Sequence, residues 1–191
     1  DSLPITAETC FHYLSLAAEK IREGATFCKC CPPIRNEKNR LALWEGLRDG
    51  SITSVVSDHS PCTPELKQLE KGDFMSAWGG ISSVGFGLPL LHTLGSTLNP
   101  SVDLTEIVKW CCENTAEQVG LQHRKGHLRI GYDADFVIFD PDAKQQVTNP
   151  NVYFKNKLTA YSGQELTGVV QKTILRGLTI FDLSDGGPSK S

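Results

Sequence analysis

The spacing of apolar residues changes several times along the chain, and each change predicts an element. Over "NEKNRLALWEGLRDG", Leu41, Leu43, Trp44 and Leu47 recur at helical spacing, and Gly50 is placed as the C-terminal stop. This predicted helix leads into "SVVS", whose small and β-branched residues read as a short buried strand ended by the turn chemistry of Asp58-His59-Ser60-Pro61. Upstream, "LPITAETC" reads as a strand with a polar tip at Glu8-Thr9, and "YLSLAAEKIREG" as a helix stopped by Gly24. The order strand, helix, loop, helix, strand predicts a parallel α/β arrangement.

Downstream, the polar excursion "TPELKQLEKGDF" and the glycine-rich "AWGGISS" form a long connection after a strand, which is expected of a site loop. "FGLPLLHTLG" is read as helical around Pro89. "DLTEIVKWCCENTAEQVGL" is a helix with a capping-box start, Asp103 and Glu106, and with Leu104, Ile107, Val108 and Cys111 on one face. After residue 125 the pattern turns to short β-rich segments and glycine turns. "VVQKTILRGLTIFD" reads as a hairpin turning at or near Gly177, and "SDGGPSKS" as a flexible tail. The expected organisation is an α/β part over residues 1–125 and a small β part over 126–191.

At 191 residues and 39% hydrophobic content the chain can bury a sizeable core, as a soluble globular protein does. Its 19 basic and 22 acidic residues are dispersed, so no phosphate-tracking surface is expected and nucleic acid is not a favoured partner. No run approaches the roughly 18 apolar residues of a membrane span, and "DSLPITAETC" lacks a basic start followed by an apolar stretch, which points to an intracellular, cytoplasmic protein without a membrane partner. Seven cysteines, with adjacent pairs at Cys30-Cys31 and Cys111-Cys112, read as reduced, buried small packers. A C-x-x-C spacing at Cys28 to Cys31 has no second pair, and Pro32-Pro33 blocks the helix that a redox motif needs. The chain starts at Asp1 and its one methionine is Met75, which is expected of a processed N-terminus or of part of a longer protein.

Chemistry enters at Asp58. In a parallel α/β barrel the C-terminal ends of the strands line the active site, so Asp58 is placed as a catalytic or metal-binding carboxylate; the alternative is a turn cap before Pro61. His59, on the opposite side of an extended strand, is expected to support the loop by hydrogen bonding. His12, His92, His123 and His127 show no ligand spacing and are read as structural. A hydrolytic metal site needs about three protein ligands per metal, and the residues offer one convincing candidate.

The segments "AETCFHYL", "KCCPPIRNEKNRLALWEGLRDG", "VVSDHSPCTPELK", "GDFMSAWGGISS", "NTAEQVGLQHRKGHLRIGYDADFVIFDP" and "KNKLTAYSGQELTGVVQKTILRG" resemble the cyclic amidohydrolases from about Thr6 to Gly177. "SDHSPC" followed by "AWGGI" is most similar to the branch that opens the ring of allantoin, ahead of its hydantoinase, dihydropyrimidinase and dihydroorotase relatives. The resemblance implies the C-terminal part of a (β/α)8 TIM-type barrel followed by part of a small β-sandwich. It also implies metal-dependent hydrolysis of allantoin to allantoate in purine catabolism, in a homotetramer.

The family site it implies is a binuclear, zinc-like centre held by an H-x-H pair, a carboxylated lysine, two further histidines and one aspartate. Only the aspartate, Asp58, is matched here, the others being expected upstream of residue 1, so this stretch alone is expected to be inactive and poorly folded. In the implied mechanism Asp58 accepts a proton from the attacking water and passes it to the leaving nitrogen. Backbone groups at Cys31 and at Gly79-Gly80 would bind substrate. Cys31 stands where serine or alanine is more usual, and an ordinary tight turn is the alternative for the glycines. Two other readings stay open: a non-catalytic amidohydrolase-like remnant or scaffold, and a dihydropyrimidinase- or hydantoinase-type sister hydrolase. The ending "PSKS" is not a peroxisomal signal, and a mitochondrial or peroxisomal address upstream stays open as well.

Overall fold

The computed structural model describes residue 3 and residues 5–188. The first strand, β1 (Glu8–Cys10), pairs in parallel with β2 (Ser54–Val56) in the register Glu8 to Ser54, Thr9 to Val55 and Cys10 to Val56. Thr53 N–H donates to the Ala7 carbonyl at 2.8 Å, which carries the pairing one residue further back. Pro4, at the start of the expected strand, lies outside the described residues.

Between the strands lie α1 (Phe11–Ser15), two 3-10 turns (Ala18–Lys20 and Thr26–Cys28) and α2 (Glu37–Asp49). The ends of α2 follow from its sequence. Asn36 accepts from the Asn39 N–H at 2.9 Å as the N-terminal cap, and Gly50 takes the left-handed conformation, φ 81°, that ends the helix. Trp44 and Leu47 are buried while Leu41 is exposed, so the core-facing stripe is narrower than the spacing predicts. Trp44 Nε1–H donates to the Leu14 carbonyl at 3.1 Å, pairing the indole's one polar group against α1.

The predicted helix over 13–24 does not form as one element. The chain is extended at Leu16, φ −105° and ψ 146°, and Ala18 N–H donates to the Arg35 carbonyl at 2.8 Å. Pairing with a later loop thus takes the amide that would have continued the helix, while Leu14 and Ala17 stay buried. Tertiary contact outweighs a local preference worth only tenths of a kcal/mol per residue. Beyond β2 come α3 (Pro64–Lys67) and α4 (Gly87–Gly95).

Downstream, α5 (Leu104–Val108) starts with the expected capping box between Asp103 and Glu106, passes through a π-helical turn over Lys109–Glu113 and continues as α6 (Asn114–Gln118). Four strands, β3 (Phe136–Gln146), β4 (Glu165–Leu175), β5 (Leu178–Asp182) and β6 (Gly187–Pro188), form an antiparallel sheet in that order. The turn between β4 and β5 has positive φ at both Arg176, 49°, and Gly177, 80°, as a two-residue hairpin loop requires. The register shifts around Asp140 and Pro141 in β3; there Asp140 Oδ1 accepts from the Asp142 and Ala143 N–H groups at 3.1 Å each, replacing the missing ladder bonds. Thr93 Oγ1 donates to the Thr167 carbonyl and accepts from the Thr167 N–H, tying α4 to β4.

The predicted tail is more ordered than expected over its described part. Asp182 Oδ1 accepts from Ser184 N–H at 3.1 Å, starting a 3-10 turn, and β6 then pairs with β5. Ser189 to Ser191 lie outside the described residues. No helix among the described residues is long and apolar enough to cross a membrane.

The chain divides into two compact units. One joins Ala7–Gly87 with Val147–Gln164; the other joins Leu88–Gln146 with the described residues from Glu165 onward and those before Ala7. Within the first, Trp44 is fully buried. Replacing it by alanine in the complete protein is expected to cost about 3–5 kcal/mol, read as a lowered denaturation midpoint; an unchanged midpoint would deny it a core role.

Candidate active site

The register of β1 and β2 sets the site. Cys10 and Val56 end their strands side by side, His12 follows two residues after Cys10, and Asp58 follows two residues after Val56. The two side chains therefore come level at the C-terminal ends of adjacent parallel strands. His12 Nε2 lies 3.9 Å from Asp58 Oδ2, and a donor atom of Cys10 completes a group whose atoms all lie within 4.8 Å of one another. Asp58 is held at φ 43°, a left-handed conformation that Asp tolerates better than most residues, and its side chain is 58% exposed.

His12 is 0% exposed, and neither of its ring nitrogens has a hydrogen-bond partner. Burial pushes its pKa down to about 4, against the opposing pull of the Asp58 carboxylate, so the ring is neutral near pH 7 with a lone pair free. Cys10 goes the other way: burial, then the charges of Asp58 and Glu8, push its thiol up to about 12. A neutral, unsatisfied imidazole nitrogen and a carboxylate oxygen are the donor chemistry that a divalent cation such as zinc takes, so these residues fit the metal that the fold implies. His12, which spacing along the chain marks as structural, is the residue that the structure places beside Asp58 in this group. The signal that points to it is the equal offset of His12 and Asp58 from the ends of their strands.

His59 takes the supporting role expected of it. Its Nδ1 accepts from the Ser83 and Val84 N–H groups at 3.1 Å each, and its ring packs edge-on against Phe154. Burial lowers its pKa, which keeps Nδ1 available as an acceptor. Ser60 N–H donates to the Ile81 carbonyl at 3.1 Å, Ser83 Oγ to the Ser57 carbonyl at 2.8 Å, and Thr159 Oγ1 to the Ser82 carbonyl at 2.6 Å. The glycine-rich loop is thus stitched to the segment that carries Asp58.

Cys31, Gly79 and Gly80 are brought together as well. A Cβ on Gly79 would lie 2.9 Å from Cys31 Sγ, so the two loops touch there, and Gly80 N–H donates to the Lys29 carbonyl at 2.9 Å. Gly80 has φ 151°, and a Cβ on it would meet Ser60 Oγ at 2.5 Å and the Ser60 carbonyl at 2.9 Å. Close backbone approach and a positive φ therefore require glycine at 80, whereas at 79 the neighbour is the Cys31 side chain. All seven cysteines are free, and among the described residues Cys10, His12 and Asp58 are the group able to hold a metal ion.

The sequence matches the model of the amidohydrolase family over residues 5–180. It is 60% identical over 184 residues to an allantoinase of Saccharomyces cerevisiae, covering 96% of this chain and 39% of that protein. It is 42% identical over 179 residues to an allantoinase of Arabidopsis thaliana, covering 93% and 35%, and 37% identical over 184 residues to an allantoinase of Escherichia coli, covering 96% and 40%. Among solved structures, a D-hydantoinase (dihydropyrimidinase) from Thermus sp. is similar at a TM-score of 0.86 and 28% identity, covering 98% of this chain and 41% of that one. An L-hydantoinase (dihydropyrimidinase) from Arthrobacter aurescens is similar at 0.85 and 28%, covering 93% and 39%. The chain thus spans about two fifths of the length of these relatives.

A methyl group at position 80 collides with backbone as well as with a side chain. Gly80→Ala in the complete protein is expected to lower stability by roughly 1–3 kcal/mol, seen as a fall in melting temperature; an unchanged midpoint would mean the loop moves aside freely.

Proposed function

The chain belongs to the amidohydrolase family, and on that footing we propose that it is part of a metal-dependent cyclic amidohydrolase that opens allantoin to allantoate. The observation that carries the reading is the Asp58 carboxylate beside the buried, unpartnered His12 at the ends of two parallel strands. The substrate comes from the allantoinases to which the chain is similar.

In this reading Asp58 and, within reach of it, His12 are this chain's contribution to holding a divalent metal, proposed as zinc in a binuclear centre whose other ligands lie outside this chain. The metal, when bound, supplies Lewis-acid polarisation of the ring carbonyl and a more acidic water. Asp58 Oδ takes one proton of the attacking water as its oxygen adds to the carbonyl carbon, and returns it to the ring nitrogen as the C–N bond breaks; one water is consumed, and its second proton stays on the new carboxyl until that ionises to allantoate. Cys31, Gly79 and Gly80 are proposed to bind the substrate through their backbone groups.

We carry with this reading residues 1–125 as the barrel portion and 126–191 as the β-sandwich portion of the whole protein. With it go an intracellular homotetramer and a small-molecule substrate, with neither nucleic acid nor membrane as partner. The likeness in shape to hydantoinases favours a second reading, a sister enzyme that opens a different cyclic amide.

Steady-state assays of the complete protein separate the readings. With zinc, cobalt or manganese it is expected to open allantoin in preference to hydantoin and dihydrouracil, to lose activity on chelation and to regain it on metal return. The reverse preference overturns the substrate, and no turnover of any ring with full metal content favours a scaffold. Asp58→Asn, which keeps the shape and removes the base, is expected to lower kcat by about 10²–10⁴-fold; a variant within threefold of wild type would remove Asp58 from the mechanism.

A further inference from the structure

Lys67, the last residue of α3, is only 3% exposed, yet it carries a charge into the interior. An ammonium group has three protons to donate, and all three are taken by main-chain oxygens: those of Lys29 and Trp78 at 3.0 Å each, and that of Gly80. Those carbonyls sit on the two loops that hold Cys31 and Gly79-Gly80. Lys29 makes the converse tie, its Nζ donating to the Met75 carbonyl at 3.0 Å and to the Ala77 carbonyl at 2.6 Å. Lys67 thus gathers backbone of both loops from α3, and Lys29 reaches from one loop to backbone leading into the other.

Burying an ammonium is costly even when it is fully hydrogen-bonded, so an apolar side chain would fill the same space with less desolvation. The buried surroundings push the Lys67 pKa down, and the thiols around it, Cys62, Cys30 and Cys28, are held neutral by the same burial. What the charge does that an apolar residue cannot is draw three separate carbonyls to one point. Loop carbonyls otherwise solvate outward and let their segments drift.

We infer that Lys67, seconded by Lys29, is a positioning residue of the enzyme: it fixes the spacing of the 29–31 and 78–80 backbone so that Cys31 and Gly79-Gly80 meet a cyclic amide together. The inference rests on the reading of those three residues as the substrate-binding backbone. Lys67 touches no substrate atom; it acts through the loops, and its loss is felt in binding before it is felt in the proton transfers at Asp58.

The test uses the complete, metal-loaded protein, with kcat, KM and metal per subunit measured for wild type, Lys67→Met and Lys29→Met. Lys67→Met is expected to raise KM about tenfold or more, with kcat within about threefold and metal content unchanged. Lys29→Met, whose side chain is only half-buried, moves KM in the same direction by less. A Lys67→Met enzyme with wild-type KM, or one that loses kcat and metal together at constant KM, overturns the inference. Should Lys67→Met fail to fold, a Lys29→Met enzyme with wild-type KM overturns it as well. If wild type opens a sister ring in place of allantoin, the substrate reading fails alone, and the clamp is then read from KM for that ring.

Discussion

The site depends on the parallel pairing of β1 and β2 in one register. A slip of one residue would turn every side chain of a strand to the other face and would leave His12 and Asp58 at different heights. The register is held by burial: Thr9, Ser54 and Val55 are all buried, and Thr53 extends the ladder to Ala7. From that one alignment follow the position of the carboxylate, the orphaned imidazole beside it and the donor group suited to a metal. A buried histidine without a hydrogen bond is costly to keep, and such a cost is characteristic of residues placed for chemistry.

Around this point the loops are held by main-chain hydrogen bonds to a few side chains. His59 uses a ring nitrogen as acceptor for two amides, Lys67 uses an ammonium as donor to three carbonyls, and Thr159 reaches from far along the chain to the Ser82 carbonyl. Each replaces ladder bonds that irregular backbone cannot make for itself. Glycine is needed at 80 because the Ser60 backbone approaches closer there than a Cβ allows, while at 79 it is the Cys31 side chain that lies close. Such contacts fix the spacing of loops that would otherwise be set by solvent-exposed backbone alone.

Local chemistry is legible where it acts over a few residues. The capping box at Asp103, the stop at Gly50 and the turn at Gly177 each follow from a side chain or a backbone conformation acting on its near neighbours. Such reading fails where distant backbone competes. Residues 13–24 look helical in isolation, but the Arg35 carbonyl takes the Ala18 amide, and the last described residues join a sheet in place of remaining free. His12 escapes notice because metal-ligand spacing is sought along one element, and here the partner lies 46 residues away on the neighbouring strand.

Residue types, local periodicity and short motifs are enough to establish the mixed α/β class, the strand that ends on Asp58 and the resemblance to cyclic amidohydrolases. The folded arrangement alone establishes that His12 stands beside Asp58, that Cys31 touches Gly79, and that Lys67 turns inward to gather three carbonyls. Those are contacts between segments tens of residues apart. Their geometry is set by strand register and loop closure, which no local pattern of hydrophobic and polar residues encodes.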